Sequence, residues 1–250
     1  MNSKTTFSIS NVLNNVAEYV VSLLYPPRCA FCHGILTNEY ADLQRFCKYC
    51  MENELIFIEN NDSASYGKRK NVTSCFAGGW SAVAYDGVVI DAVHNLKYNN
   101  RPYIAQVFAD ITAGTVDLSR ELPNIDYVTN VPMHYKKRKE RGYDQAAIFA
   151  HKLAEIYDKP FHDGVITRTR NTSPQSLVGR SERNKNIEGS FVVEKNRCNS
   201  VDVAGKTILL ADDLITTGAT LCECAKTLRN AGAAGVYYIT FATTSITEKK

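Results

Sequence analysis

The sequence lacks any apolar run of about 18 residues, and this absence excludes a conventional membrane-spanning helix. The N-terminal apolar stretch is short and is interrupted by Glu18, so we expect a cytoplasmic protein without a signal peptide, whose N-terminal helix packs on the protein; a membrane-surface helix is the alternative. Internal repeats and low-complexity tracts are also missing. A formal net charge of +3 is too small to indicate a nucleic-acid partner by itself. What is present is 44% hydrophobic content, which is enough for one large globular domain with a small additional module.

Cysteine is abundant, with eight residues, and in a chain without an export signal this favours reduced thiols or metal over disulfides. Cys29 and Cys32 form one C-x-x-C pair, and Cys47 and Cys50 form another. The spacing of the two pairs is typical of zinc ribbons, in which each pair turns two thiolates toward one ion. Four thiolates complete a tetrahedral shell, so we predict a structural zinc site without an open catalytic position.

Two other interpretations of these four cysteines remain, a chance cluster of buried thiols and a redox pair. His33 is expected outside the metal shell because four thiols already fill it. The remaining cysteines lack paired spacing and are expected in packing or surface positions: Cys75, Cys198, Cys222 and Cys224.

The larger part of the chain alternates short apolar runs with helical periodicity. Strands are predicted near residues 79–85, 127–131, 165–168, 191–193, 208–211 and 236–241. Helices are predicted near residues 87–97, 101–116 and 143–157 and from Ala219 onward. This alternation predicts an α/β fold with a mainly parallel sheet and helices on both faces.

Four segments follow from these patterns. They are an amphipathic helix within residues 1–28, a zinc-binding module at 29–58, a polar linker at 59–75 and the α/β domain at 76–245.

Residues 207–220, TILLADDLITTGAT, carry the strongest functional pattern. A buried strand leads to Asp212 and Asp213, whose carboxylates can accept hydrogen bonds from vicinal hydroxyls or help to hold a divalent cation. The following turn supplies hydroxyls, a glycine and backbone N–H groups at a helix N-terminus, which together favour a phosphate. The turn consists of Thr216, Thr217, Gly218, Ala219 and Thr220. The pattern predicts a ribose-phosphate site.

This motif resembles that of the type I phosphoribosyltransferases, and further motifs resemble the ComF family of competence-associated proteins. They are YDG at 85–87, LKY at 96–98, VPMH at 131–134, RGYDQ at 141–145 and the polar segment 175–184. The resemblance covers nearly the whole chain. It implies a type I phosphoribosyltransferase fold that binds phosphoribosyl pyrophosphate with Mg²⁺, in which Asp212 and Asp213 are the catalytic pair.

The resemblance also implies that Pro132 and Met133 lie in the pyrophosphate-contacting loop. A basic run follows, made up of Lys136, Lys137, Arg138, Lys139 and Arg141. The run can neutralise pyrophosphate, with Arg141 as the candidate; it can contact nucleic acid through residues 136–139; or it can form a solvated face. Asp144 stands where the family has Asn, which adds negative charge near the predicted anion site.

A long polar stretch between two predicted strands, residues 168–187, has the length of a lid. The resemblance implies that it closes over the ligand, with Gln175, Arg180 and Arg183 as candidate contacts; a loop without function is the alternative. Lys97 is a further candidate, and a solvated lysine at a helix end is its alternative.

Two functions are consistent with these motifs. One is transfer of the phosphoribosyl group to an acceptor that the sequence does not name. The other is a non-catalytic accessory protein for DNA uptake that binds phosphoribosyl pyrophosphate, contacts single-stranded DNA and works with partners such as a helicase. Tyr135 and Tyr143 then supply stacking surfaces beside the basic run.

Overall fold

The structure is a computed structural model, and it describes residues 25–36, 45–58, 74–116, 124–169, 187–193 and 201–244. Several predicted features lie outside these residues. They are the amphipathic helix, nearly all of the linker, and the lid candidates Gln175, Arg180 and Arg183.

Within the described residues, the predicted strands and helices occur within a few residues of their expected positions. The strands are β1 (Gly78–Ala84), β2 (Tyr127–Asn130), β3 (Ile166–Arg168), β4 (Phe191–Val193), β5 (Thr207–Ile215) and β6 (Gly235–Thr243). The helices are α1 (Val88–Tyr98), α2 (Tyr103–Thr115), α3 (Tyr135–Arg141), α4 (Gln145–Ile156) and α5 (Ala219–Asn230). A short π-helical turn spans Cys50–Glu54.

The main sheet has four parallel strands in the order β1-β6-β5-β2. Strand β5 is therefore an inner strand, and its residues Ile208 to Ala211 are buried, as expected for a parallel strand covered on both faces. Strands β3 and β4 form a separate antiparallel pair instead of joining the sheet.

Helices cover both faces of the sheet, which confirms the predicted fold class. One core joins α1, α2 and α4 to inward side chains such as Leu209 and Ala211 of β5. The other joins α5 and the β3–β4 pair to side chains such as Ile208 and Leu210. The alternation of side chains along a strand thus divides β5 between two cores.

The cysteine-containing segment packs directly against the α/β domain. The ring of Phe31 lies 6.2 Å from the ring of Phe108 on α2 and 6.3 Å from that of Phe241 on β6. Residues 56–58 also run beside β1, where the amide of Ile58 donates to the carbonyl of Ala82 over 3.0 Å. The four-cysteine segment is therefore part of the first core.

Helix α3 was not predicted as a helix. Lysine, arginine and glutamate are good helix formers, and the ends of this helix are capped. His134 accepts a hydrogen bond from the amide of Lys136, and Gly142 ends the helix in the left-handed conformation at φ 83°. None of the helices in the described part of the chain is long and apolar enough to cross a membrane.

Candidate functional site

The two carboxylates lie within β5, because the strand continues to Ile215 instead of ending at Ala211 as predicted. Asp212 pairs in register with Thr240 of β6, and Ile215 pairs with Thr243. Successive residues of a strand point to opposite faces, so Asp213 faces the first core and Asp212 faces the second. The acid pair therefore straddles the sheet near the carboxyl ends of its strands, which is where ligands bind in open α/β folds.

Asp213 is held by two side chains from the helices of the first core. The ammonium of Lys97, at the end of α1, lies 2.7 Å from Oδ2 of Asp213, and the side chains are 22% and 4% exposed. The amide of Gln145 on α4 donates to Oδ1 over 3.5 Å. Burial alone would raise the pKa of Asp213, but the Lys97 charge and hydrogen bond lower it below its usual value. Asp213 is therefore held as a carboxylate.

Asp212 has a different environment. Burial and the neighbouring Asp213 carboxylate raise the pKa of Asp212 well above its usual value. Its Oδ1 accepts a hydrogen bond from the amide of Asp213 over 2.9 Å, and Arg168 on β3 is close enough for the two charges to interact. The pKa values of the two acids are thus shifted in opposite directions. Such a difference is expected at a site that binds a cation or a ligand hydroxyl.

The turn after β5 has the geometry that its sequence predicts. Gly218 adopts the left-handed conformation at φ 75°, which L side chains rarely adopt, and α5 begins at Ala219. The Thr217 hydroxyl accepts from the amide of Ala219 over 3.4 Å, while Thr216 is exposed and Thr220 partly buried in the first helical turn. The helix N-terminus therefore presents backbone N–H groups beside the acid pair, as phosphate binding requires.

A cavity of about 430 Å³ adjoins this turn, between α5 and residues 74–75 and 187–188. Its charged walls are Glu188, Glu223 and Lys226, and Lys226 lies 3.7 Å from a Glu223 oxygen, so the cavity carries more negative than positive charge and disfavours an anion. Further negative charge of a ligand is better accommodated on the other side of the acid pair.

Cationic side chains converge on that other side. Lys137 and Arg141 are four positions apart on α3 and therefore share one helix face. Burial and the positive charges of Arg168 and Arg141 lower the pKa of Lys137, and Lys97 adds to this effect. Arg141 also donates to the side chain of Gln145, which in turn contacts Asp213. Lys97 and Arg168 thus interact with the two carboxylates directly, and Arg141 and Lys137 lie beside these two cations.

The rest of the basic run has a different orientation. Lys136, Arg138 and Lys139 are exposed, and Arg138 forms an ion pair with Asp163 over 3.6 Å. Tyr135 is 66% exposed on the same helix. Tyr143 is not a free stacking surface, because it is partly buried and its hydroxyl donates to the carbonyl of Leu96. The basic run is therefore divided into an inner and an outer face.

Pro132 and Met133 follow β2 and are partly buried. The carboxylate of Asp144 turns away from the anion site and caps α4, since it accepts from the amides of Ala146 and Ala147 over 3.1 and 3.2 Å. It also accepts from the amide of Met133 over 3.3 Å, which ties the predicted pyrophosphate loop to α4. The expected negative charge at the anion site is thus directed into a helix N-terminus instead.

Sequence reasoning missed several residues of this site. Gln145 and Arg168 were not candidates, and neither was Asn130, which is buried at the end of β2 in register with Ala211. The side-chain oxygen of Asn130 has no hydrogen-bond partner among the described residues. An Asn that ends a buried apolar strand is a visible sequence signal, because a buried polar group needs a partner. The ion pair between Lys97 and Asp213 has no signal in the sequence and becomes visible only in the folded structure.

The four cysteines of the predicted metal site lie together. All four sulfurs are within 4.8 Å of one another, with 3.9 Å between Cys29 and Cys50 and 3.7 Å between Cys32 and Cys47. Tetrahedral zinc with Zn–S bonds of about 2.3 Å requires S–S distances of about 3.8 Å. Burial and the neighbouring thiols also raise the pKa of Cys50, so a cation is needed to balance several thiolates here. The donor set fits one metal ion such as zinc.

Comparison with known proteins agrees with this description. Residues 143–250 match the family described as the phosphoribosyl transferase domain. The chain is 31% identical over 147 residues to the DNA utilization protein YhgH of Salmonella typhi, which covers 58% of this chain and 62% of the relative. It is 30% identical over 155 residues to the competence protein ComFC of Bacillus subtilis, which covers 62% of this chain and 59% of the relative.

A solved structure, the allosteric regulatory enzyme of purine biosynthesis, matches with a TM-score of 0.39 and 20% identity over 59% of this chain and 29% of that chain. The chain spans about three fifths of the length of the curated relatives it matches.

The parallel sheet, the acid pair on β5 and the family match define a phosphoribosyltransferase-like protein. Within this class, the chain is similar to DNA utilization and competence proteins, and these relatives together with the N-terminal four-cysteine cluster support a ComF-type protein.

Proposed function

We propose that this protein binds phosphoribosyl pyrophosphate together with Mg²⁺ at the carboxyl end of β5. The observation that carries the proposal is the charge arrangement around Asp212 and Asp213, with an N–H-rich turn on one side and converging cations on the other. The turn suits the 5′-phosphate, and the acid pair suits the ribose hydroxyls. Lys137, Arg141 and Arg168 suit the pyrophosphate.

Carboxylate oxygens are the ligands that Mg²⁺ prefers, so Asp212 and Asp213 are the residues that would hold it, directly or through water. When bound, the ion supplies positive charge that stabilises pyrophosphate as a leaving group. The inner cations stabilise the same developing charge. The proposed reaction is transfer of the phosphoribosyl group, in which the bond from ribose C1 to pyrophosphate breaks and a bond from C1 to an acceptor nucleophile forms.

Calorimetry with phosphoribosyl pyrophosphate and Mg²⁺ tests the ligand. The native protein should bind, and the double variant Asp212→Asn/Asp213→Asn should lose binding. Asp91→Asn, which removes an exposed carboxylate from α1, is the matched control and should bind as the native protein does. Heat signals that do not change in the double variant would sink the proposal.

A screen of bases and amines for release of pyrophosphate then tests the reaction. Turnover with one acceptor, lost in the double variant, would support a transferase. Ligand binding without turnover on any acceptor would favour the accessory function.

The outer face of α3 supports a second candidate function, contact with single-stranded DNA. Lys136 and Lys139 are exposed beside Tyr135, and cationic side chains next to an aromatic ring suit a single strand. The names of the relatives, a DNA utilization protein and a competence protein, are consistent with a role in DNA uptake, for which a helicase is a suitable partner.

The double variant Lys136→Gln/Lys139→Gln tests this function. Its affinity for a single-stranded oligonucleotide should fall, and the slope of log K against log salt should decrease by roughly one per lysine. Its affinity for phosphoribosyl pyrophosphate should stay unchanged. Oligonucleotide binding equal to that of the native protein would rule out this face.

We also propose that the cysteine cluster holds zinc in a structural role and that the protein works in the reducing cytoplasm. Four thiolates fill a tetrahedral shell and leave no position for substrate. Metal analysis of the purified protein should find about one zinc per chain, and Cys47→Ser should lower that content.

A further inference from the structure

The ion pair between Lys97 and Asp213 lies where the proposed site would hold a divalent cation. The Asp213 oxygen that a metal would contact lies 2.7 Å from an ammonium group, in a place where the carboxylate side chain is only 4% exposed. A buried carboxylate needs a counter-charge, and a metal ion is one means of supplying it. In this protein Lys97 supplies it instead.

The surrounding charges act in the same direction. Lys97 interacts with both carboxylates, Arg168 interacts with Asp212, and Arg141 lies near Lys97, so three cations stand against two carboxylates. A free divalent cation that approaches this end of β5 therefore meets a positive field. A ligand that carries several negative charges meets an attractive one.

From this geometry we propose that Lys97 takes the place of a divalent cation at Asp213 in the ligand-free protein, so that the metal enters only together with a polyanionic ligand. The proposal rests on the proposed function, since it describes how that site is filled. It makes Lys97 a positioning residue that sets the order of binding.

The chemistry of lysine fits this role. Its ammonium is a compact charge with three donors on a flexible stem, so it can pass from a carboxylate to a phosphate oxygen without loss of pairing. The end of α1 that carries it is fastened on both sides. The hydroxyl of Tyr143 donates to the carbonyl of Leu96, and the ring of Tyr98 lies 5.9 Å from the guanidinium of Arg141. The head of Lys97 can therefore move while its backbone stays in place.

Electron paramagnetic resonance with Mn²⁺ tests the proposal on the full-length, zinc-loaded protein. The native protein should bind Mn²⁺ at this site only when phosphoribosyl pyrophosphate is present. Lys97→Met should bind Mn²⁺ without that ligand, at least about tenfold more tightly than the native protein, because the carboxylate has lost its counter-charge. Lys97→Arg keeps the charge and should behave as the native protein does. Asp213→Asn defines the background from other sites.

Ligand-free native protein that binds Mn²⁺ at a site lost in Asp213→Asn would overturn the proposal, as would equal Mn²⁺ affinity of Lys97→Met and Lys97→Arg. Lys97→Gln serves as the neutral variant if Lys97→Met does not fold. The measurement of Mn²⁺ binding by the ligand-free native protein needs neither variant. Calorimetry distinguishes a failure of the proposed function from a failure of the proposal about Lys97. Native protein that does not bind phosphoribosyl pyrophosphate with Mg²⁺ would contradict the proposed function. The Mn²⁺ titration of the ligand-free protein tests the role of Lys97 by itself.

Discussion

Asp144 occupies a position at which the resemblance to the ComF family implies Asn, and its carboxylate caps α4 through the amides of Ala146 and Ala147. Aspartate and asparagine are equally good N-caps, so the family residue and the present one perform the same local task. The difference between them is charge. Burial raises the pKa of Asp144 above its usual value, although hydrogen bonds from backbone amides oppose the rise.

Asp144→Asn should therefore stabilise the protein at neutral pH. Because the folded-state pKa is above the unfolded value of 3.8, the stability from Asp144 is fully present below that value and is lost as pH rises through the folded pKa. The gain from Asp144→Asn should appear over this rise and disappear toward pH 3.8. Urea denaturation across this range measures it.

Asp144→Ala is the control, since it removes the cap and should cost about 1 kcal/mol of unfolding free energy. A constant difference between Asp144→Asn and the native protein at every pH would contradict the argument.

At the residue scale, sequence could predict the chemistry of Asp212 and Asp213 but not their unequal surroundings. The motif places two acids after an apolar run, which suffices to predict a ribose-phosphate site. Lys97 and Gln145 are distant from Asp213 in sequence and meet it only when α1 and α4 pack on the sheet. In sequence, a helical lysine that forms a buried ion pair cannot be distinguished from a helical lysine that is exposed to solvent.

Helix α3 separates two kinds of cation at the scale of a single element. Lys137 and Arg141 are partly buried near Arg168 and Lys97, and Lys136 and Lys139 face solvent. The sequence places all of these in one basic run, and only the helical period assigns them to faces. The run was not predicted as a helix because it has no apolar positions whose spacing would reveal the period.

Lys137→Gln should weaken binding of phosphoribosyl pyrophosphate by about tenfold, which corresponds to about 1.4 kcal/mol. The cause is the loss of a partly buried cation beside Arg168 and Arg141, where the pyrophosphate is proposed to bind. Lys139→Gln removes an exposed charge from the same helix and should change the affinity by less than about twofold. Calorimetry on both variants makes the comparison, and equal losses would contradict the division of the helix into two faces.

At the scale of the whole molecule, the four-cysteine segment and the α/β domain share one core. Phe31 packs on Phe108 and Phe241, and the rings of these last two are 3.7 Å apart. His33 also lies within hydrogen-bond distance of Asn95 on α1 and of Arg101. In sequence, a zinc-binding module is distinguished from the α/β domain because cysteine spacing and polar segments are local patterns. Packing between residues that are distant in the chain leaves no such local pattern.

Removal of the metal should therefore destabilise the entire molecule. Chelation should lower the temperature of a single unfolding transition in calorimetry, and zinc should restore it. Phe31→Ala should cost about 3–5 kcal/mol of unfolding free energy, because it leaves a cavity between the segment and the domain. Two independent transitions, with the α/β transition unchanged by chelation, would show that the segment folds separately.

The alternation of side chains along β5 has a consequence for how mutations affect the acid pair. Asp212 and Asp213 are adjacent in the chain, yet the first adjoins α5 and the β3–β4 pair while the second adjoins α1 and α4. A substitution in one layer of the molecule therefore acts directly on the carboxylate that faces this layer, and it reaches the other carboxylate through the charge interaction between the two acids. Mutations on opposite faces of the sheet, far from each other, can in this way meet at the same two residues and change their acidity together.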